Sequence, residues 1–198
     1  MISRLILASG NEGKLREFRR LLVPHGVSLI AQSELNIPEA DEPHQTFVEN
    51  ALAKARHASA LGKLPALADD SGLCVAALAG APGVISARFA GLPPSDSRNN
   101  AKLVAALQGE TDRRAHYYCV LVLVRHAADP EPLIAEGVWY GTFIDQARGT
   151  GGFGYDPHFQ DAATGLTGAE LPLERKNELS HRGHAMRALL ARIGALQV

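Results

Sequence analysis

The chain opens on a short apolar run, Leu5-Ile6-Leu7-Ala8, the pattern of a strand buried on both faces. A glycine-bearing turn follows, and the period then changes. From Lys14 to Val23, residues Leu15, Phe18, Leu21 and Leu22 fall on one stripe, which predicts an amphipathic helix ended by Pro24 and Gly26. Val27-Ser28-Leu29-Ile30 predicts a second strand. The stretch from Glu34 to Gln45 is polar and carries Pro38, Asp41, Glu42 and Pro43, so it reads as an exposed loop. Thr46, with Glu49 three residues on, predicts a capping box at the start of a helix to about Leu61 that presents Lys54. Ala66-Leu67-Ala68 predicts a strand ending in Asp69-Asp70-Ser71-Gly72, and Leu73 to Ala76 offers an apolar continuation.

Farther on, Gly80-Ala81-Pro82-Gly83 reads as a turn, and Ser95 as the cap of a helix to about Leu107. Tyr117 to Val124, rich in Val and aromatic residues, is the clearest strand; a hairpin at Asp129-Pro130 returns through Leu133 to Phe143. Gly149 to Gly154 is a glycine-dense loop, and Ser180 caps a last helix from about His181 to Ala195. Strands alternating with helices, then a long hairpin and a helix, predict an α/β fold with a mixed sheet. There is no internal repeat, low-complexity tract or charged tail.

Composition narrows the function classes. A chain of 198 residues suits one domain, or two small lobes sharing a core. No apolar run is long enough for a bilayer, and Met1-Ile2-Ser3-Arg4-Leu5 lacks the shape of a signal peptide, so a cytoplasmic protein without a membrane partner is expected. A net charge of −1 argues against a broad nucleic-acid surface, but leaves room for a phosphate pocket, which needs only a few local cations. Cys74 and Cys119 sit in apolar, strand-like settings outside any metal-binding spacing, and are expected as buried thiols rather than a disulfide.

Four segments carry candidate chemistry. Ser9-Gly10-Asn11-Glu12-Gly13-Lys14 lies between a strand and a helix, where backbone N–H groups and the positive helix end face an anion. Gly10 and Gly13 allow close backbone approach, Lys14 adds a point charge, and Ser9 and Asn11 can donate hydrogen bonds; the spacing is not that of a P-loop or a dinucleotide fingerprint. Asp69-Asp70-Ser71-Gly72 places two acids on one strand. Adjacent strand residues point to opposite faces, so one acid is expected in the site and the other as its support. A hard cation such as Mg²⁺ needs one or two carboxylates, and the loop acids Asp41 and Glu42 are candidates for the second. Gly149 to Pro157 brings Phe153, Gly154, Tyr155 and Asp156 into one loop, suited to placing a ring against a flat ligand. Lys176, with Ser180-His181-Arg182-Gly183, gathers donors at the start of the last helix. His25, His57, His126 and His184 read as surface residues.

Taken in order, these segments resemble the inosine triphosphate pyrophosphatase family, the noncanonical purine nucleoside triphosphate pyrophosphatases, in a bacterial style. The resemblance rests on Ser9-Gly10-Asn11 with Gly13-Lys14; Thr46-Phe47-Val48-Glu49-Asn50-Ala51 with Lys54-Ala55; Ala68-Asp69-Asp70-Ser71-Gly72-Leu73; Gly80-Ala81-Pro82-Gly83 with Ser86-Ala87-Arg88; Gly151 to Pro157; and Lys176 with Ser180-His181-Arg182-Gly183. It spans almost the whole chain. It implies one pyrophosphatase domain over residues 1–198, a two-lobed α/β fold with a long mixed sheet, an active cleft between the lobes, and a homodimer. It implies Mg²⁺-dependent cleavage of ITP, dITP and XTP to the monophosphate and pyrophosphate, keeping such bases out of DNA and RNA.

Residue by residue, Ser9, Gly10, Asn11, Glu12, Gly13, Lys14 and Lys54 match triphosphate contacts. Asp70 matches the catalytic base and metal ligand, and Ser71 a substrate contact. Phe153, Gly154, Tyr155, Asp156, Lys176, His181 and Arg182 match the nucleotide pocket. Glu42 fits a gap-free alignment as second metal acid, with Asp41 the alternative. On this reading Lys176, His181 and Arg182 accept an oxo group at purine C6 and leave the amino group of ATP facing donors, a repulsive mismatch. Two other readings stand beside it: a pyrophosphatase for modified pyrimidine triphosphates, and a nucleotide sensor that binds without turnover.

Overall fold

Strand β1 (Arg4–Ala8) is buried at every position after Arg4 because it has a parallel neighbour on each side. Ile6 pairs with Ile30 of β2 (Ser28–Ala31) and with Ala66 of β3 (Ala66–Val75). Such a strand needs no polar face, which is why its sequence does not alternate. The structure, a computed structural model, describes residues 4–195.

Helix α1 (Glu12–Leu22) follows β1, and α2 (Phe47–Gly62) lies between β2 and β3. After β3 come α3 (Asp96–Ala106), β4 (Arg114–Val124), β5 (Leu133–Phe143), β6 (Phe159–Asp161), α4 (Leu173–Leu179) and α5 (His181–Ala195). The strands form one six-stranded sheet in the order β2-β1-β3-β4-β5-β6. It is mixed: β1 pairs in parallel on both sides, and β5 pairs antiparallel with β6 through Gly141 and Asp161. No helix among the described residues is long and apolar enough to cross a membrane.

The caps obey local chemistry. Asn11 Oδ1 accepts from the Lys14 amide at 3.0 Å and starts α1. Thr46 Oγ1 accepts from the Glu49 amide at 3.4 Å, and its hydroxyl donates to Glu49 Oε2 at 2.5 Å. The expected cap is present, but Glu49 closes it on the hydroxyl rather than on the Thr46 backbone. Ser95 Oγ caps α3 on the Arg98 amide at 3.4 Å.

β3 runs through Asp69 to Gly72 and on to Val75, along the apolar continuation that begins at Leu73. A Cβ on Gly72 would come within 2.3 Å of the Gly83 carbonyl oxygen, so this glycine serves close backbone approach and not a turn. The loop from Glu34 begins inside a 3₁₀ turn over Gln32–Leu35. His57 is half-buried, its Nε2 2.9 Å from the Pro38 carbonyl oxygen.

Contacts divide the chain into two compact units. The first holds the residues up to Asp70, Cys119–Gly137 and those from Arg182 on. Its core joins Leu5 and Leu7 of β1, Leu15, Phe18 and Leu22 of α1, Leu121 and Leu123 of β4, and Ala185, Met186 and Leu189 of α5. The second unit holds Ser71–Tyr118 and Val138–His181. Its core joins Leu73 and Val75, Leu103 and Leu107, and the aromatic group Tyr117, Trp139, Phe143, Tyr155 and Phe159.

Candidate active site

In the first unit, two carboxylates adjacent on β3 face opposite ways. Asp69 is fully buried and takes Lys14 Nζ on Oδ1 at 2.7 Å and Arg182 Nε on Oδ2 at 2.8 Å. Arg182 Nη1 reaches Glu17 Oε2 at 3.1 Å. Burial works against the Arg182 charge, but Asp69 and Glu17 outweigh it, and its pKa stands above the usual guanidinium value. Cys119 Sγ lies 3.6 Å from Asp69 Oδ2, and burial together with that carboxylate pushes the thiol well up. Buried Lys and Arg survive inside a protein when carboxylates match them, as here.

Asp70 turns to α2. Its Oδ1 takes Lys54 Nζ at 2.8 Å, and the same ammonium reaches Glu42 Oε1 at 2.8 Å. Burial raises the Asp70 carboxyl above the ordinary range, with Lys54 opposing. Burial works against the Lys54 charge too, yet Asp70 and Glu42 together hold its pKa above the usual value. Asn50, fully buried, fastens the acidic loop to α2: it accepts from the His44 amide at 3.1 Å, donates to the His44 carbonyl at 3.1 Å, and places Nδ2 3.5 Å from Asp70 Oδ2. Glu42 thus shares the Lys54 ammonium with Asp70, while Asp41 is exposed. Two hard carboxylates converging on one cation position suit Mg²⁺ completed by water and phosphate oxygens. Among the described residues no group of three His, Cys, Asp or Glu side chains forms a full metal cage.

The turn itself is exposed from Gly10 to Glu12, with Ser9, Gly13 and Lys14 half-buried. Ser9 Oγ accepts from the Asn11 amide at 3.2 Å. The Asn11 side-chain oxygen is committed to the cap, and the Lys14 ammonium is committed to Asp69.

In the second unit, Asp156 organises the glycine-rich loop. Its Oδ2 accepts from the Phe153 amide at 2.8 Å and from Lys176 Nζ at 2.8 Å, with both charged side chains 4% exposed. Gly152 has a left-handed φ of 70°, and a Cβ there would come within 2.1 Å of Asp156 Oδ2. Phe153 is half-buried, with Lys176 Nζ 5.0 Å from its ring centroid. Gly154 is held at both ends by α3: its amide donates to Asp96 Oδ2 at 2.7 Å, and its carbonyl accepts from Asn100 Nδ2 at 2.8 Å. Tyr155 turns into the core, its hydroxyl donating to the Ser86 carbonyl at 2.8 Å. The buried His181 ring stacks on Tyr117 at 4.6 Å with planes 7° apart. Ser71, next after Asp70 on β3, is half-buried.

Each unit therefore gathers its own predicted residues: Lys14, Lys54, Glu42, Asp70 and Arg182 in the first, and Phe153 to Asp156, Lys176 and His181 in the second. The basic helix start is not a solvated patch, because Lys176, His181 and Arg182 are all buried. Glu17, Asp96 and Asn100 gave no signal in the sequence, and Asn50 entered only as part of the Thr46–Ala51 motif, without a role. Only Asn50 carried a signal, lying one helical turn past the Thr46 cap.

The sequence profile of the Ham1 family matches residues 5–192. The dITP/XTP pyrophosphatase of Chromobacterium violaceum is 61% identical over 196 residues, covering 99% of this chain and 100% of that protein. The dITP/XTP pyrophosphatase of Aromatoleum aromaticum is 64% identical over 193 residues, covering 98% of each. A HAM1 protein from Coxiella burnetii superposes with a TM-score of 0.90 at 44% identity, over 98% of this chain and 100% of that one. The Staphylococcus aureus Ham1 protein gives 0.86 at 37% identity, over 97% and 98%. From its first strand to its last helix, this chain belongs to the Ham1 family.

Proposed function

We propose that this chain is a Mg²⁺-dependent pyrophosphatase that hydrolyses the noncanonical purine triphosphates ITP, dITP and XTP to the nucleoside monophosphate and pyrophosphate. The observation that carries it is the convergence of Asp70 and Glu42 on Lys54, each at 2.8 Å. Relatives about 60% identical over nearly the full chain are named dITP/XTP pyrophosphatases, which supports the same substrates here.

Glu42 and Asp70 would hold the cation, and Mg²⁺ would supply positive charge against the leaving pyrophosphate. Asp70 takes a proton from the water that attacks the α-phosphorus, while the bond from that phosphorus to the bridging oxygen breaks. A carboxyl raised by burial is a stronger base than an exposed one, which suits this role. Lys14 and Lys54 exchange their carboxylate partners for phosphate oxygens and hold fixed positive charge there. The backbone from Ser9 to Gly13 lines the triphosphate. Phe153 offers a ring to the base, and Lys176, His181 and Arg182 offer donors to a C6 oxo group and oppose an amino group. The family resemblance adds a homodimer in the cytoplasm to this reading; sedimentation of the purified protein tests the dimer.

The decisive experiment is a turnover panel of purified protein with Mg²⁺ over ITP, dITP, XTP, ATP, GTP and modified pyrimidine triphosphates, reading pyrophosphate against phosphate. Pyrophosphate from ITP and XTP in preference to ATP is expected, abolished by chelation with EDTA. Equal cleavage of ATP sinks the selectivity. Tight ITP binding without pyrophosphate release would make the protein a sensor.

A further inference from the structure

We propose that Asp96 and Asn100 of α3 are positioning residues that aim the Phe153 ring at the base. The inference rests on the reading above that Phe153 offers its ring to the purine.

Phe153 stands between two glycines with left-handed backbone, Gly152 at φ 70° and Gly154 at φ 64°. Glycine has the widest choice of backbone angles of any residue, so neither neighbour gives the ring a direction. Direction comes from contacts that fix the peptide planes on either side. The plane before Phe153 is held by its own amide, which donates to Asp156 Oδ2 at 2.8 Å. The plane after it is held at both ends. The Gly154 amide donates to Asp96 Oδ2 at 2.7 Å, and the Phe153 carbonyl accepts from the Asp156 amide at 3.3 Å. A residue has only two soft dihedrals, so holding both planes sets φ and ψ of Phe153 and with them the bond that carries the ring. The Gly154 carbonyl in turn accepts from Asn100 Nδ2 at 2.8 Å, which stops the second glycine from swinging.

Helix α3 is itself anchored. Leu103, and Leu107 just past its end, lie in the core of the second unit. Asn99 is buried and ties the helix to the loop before it, accepting from the Ala90 amide at 2.7 Å and donating to the Ala87 carbonyl at 2.9 Å. Asp96 and Asn100 are one helical turn apart and share a face. Asn100 also donates to the Asp96 carbonyl at 2.9 Å, so the two residues act as one bracket. Asn100 is 8% exposed, and its Oδ1 has no hydrogen-bond partner among the described residues. A buried acceptor left unpaired costs stability that an apolar side chain would not lose. What accounts for an asparagine here is the donor side of its amide, on the Gly154 carbonyl.

The test measures kcat and KM for ITP in the wild type, Asp96→Ala, Asp96→Asn, Asn100→Ala, Phe153→Ala and the Asp96→Ala/Phe153→Ala double variant. Amide exchange over residues 149–158 is followed beside it by mass spectrometry, without substrate. Asp96→Ala and Asn100→Ala are each expected to raise KM about fivefold, part of the roughly tenfold lost with a stacked base, and to change kcat less than about twofold. Asp96→Asn keeps a side-chain oxygen for the Gly154 amide, and its KM should stay within about twofold of wild type. Exchange over the loop should quicken in both alanine variants. In the Phe153→Ala background, removing Asp96 should leave KM unchanged. Unchanged KM or unchanged exchange in the alanine variants overturns the proposal. So does an Asp96→Asn as impaired as Asp96→Ala, a double variant whose effect is the product of the single ones, or a fall in kcat as large as the rise in KM. Asp96 is exposed, so if Asn100→Ala fails to fold, the Asp96 variants decide alone. A wild type without ITP turnover refutes the pyrophosphatase reading itself, whereas an active wild type whose variants keep their KM refutes only the bracket.

Discussion

Asp69 and Asp70 are neighbours on β3 that serve opposite faces of the strand: Asp69 binds Lys14 and Arg182 at 2.7 and 2.8 Å, and Asp70 binds Lys54 at 2.8 Å. The two acids should therefore fail differently. Asp70→Asn keeps the size and hydrogen-bonding edge of the side chain but cannot take a proton. Turnover of ITP should fall by roughly 10²–10⁴-fold with little change in melting temperature. Asp69→Ala takes their shared carboxylate from buried Arg182 and half-buried Lys14, and should cost about 3 kcal/mol of stability in chemical denaturation. Wild-type turnover in Asp70→Asn removes that residue as the base.

Phe153 and Tyr155 lie two apart in the glycine-rich loop but do different work. The Phe153 ring is half-buried beside Lys176, whereas Tyr155 is in the core with its hydroxyl on Ser86. Phe153→Ala should raise KM for ITP by about tenfold, the loss of one stacked base. Tyr155→Phe should leave KM alone and cost about 1 kcal/mol in stability, the loss of one buried hydrogen bond. Steady-state kinetics beside thermal melts distinguishes the two; the reverse assignment would show Tyr155 to be the contact.

Asp129 gives a pH-dependent stability. It is fully buried and accepts from Arg125 Nε at 2.8 Å, from Arg125 Nη2, and from the amides of Arg125 and Glu131 at 2.9 and 3.0 Å. The Arg125 hydrogen bonds hold its carboxyl well below the usual range. A carboxyl lowered by folding stabilises the protein above its unfolded pKa of about 4, and that stabilisation is lost as pH falls through the lower folded value. Arg125 is itself 45% exposed, so solvent screens part of the pair. Asp129→Asn should cost about 1 kcal/mol at pH 7, and the gap from wild type should close below about pH 4. Melting curves at several pH values check it; a constant gap would contradict it.

The thiols should titrate separately. Cys119 is completely buried beside Asp69, and Cys74 is half-buried; burial raises both. In native protein at neutral pH, a chromogenic disulfide reagent should react slowly with one thiol and reach the second only in denaturant. Two fast thiols would mean that the core around Cys119 opens.

What was legible in the sequence was local. The apolar run of β1, the stripe of α1, the Thr46 cap and the alternation of Asp69 and Asp70 follow from neighbours within a few residues. Partnerships across the chain were not. Glu17 read as one more polar position on an amphipathic helix, because its partner is 165 residues away. Lys176 and Arg182 were legible as donors, but not their carboxylate partners Asp156, Asp69 and Glu17, which meet them only in three dimensions. The close approach of Gly72 to Gly83 leaves no trace in spacing. β6 and α4, three and seven residues long, are too short to show a period. Among the loop acids, the resemblance favoured Glu42 over Asp41, and its 2.8 Å contact with Lys54 was not legible in the sequence.

The reciprocal bonds between Asn50 and the His44 backbone act as a ruler for that loop. They pin its downstream end to α2, so the reach of Glu42 is counted backwards from His44 over only two residues. Residues inserted between Pro38, whose carbonyl oxygen lies 2.9 Å from His57 Nε2, and Asp41 should bulge into solvent without moving the acid. A single residue added between Glu42 and His44 shifts the acid out of register with Lys54. Length variation among relatives, and any loop grafted into this scaffold, should therefore be tolerated on one side of Glu42 and not on the other.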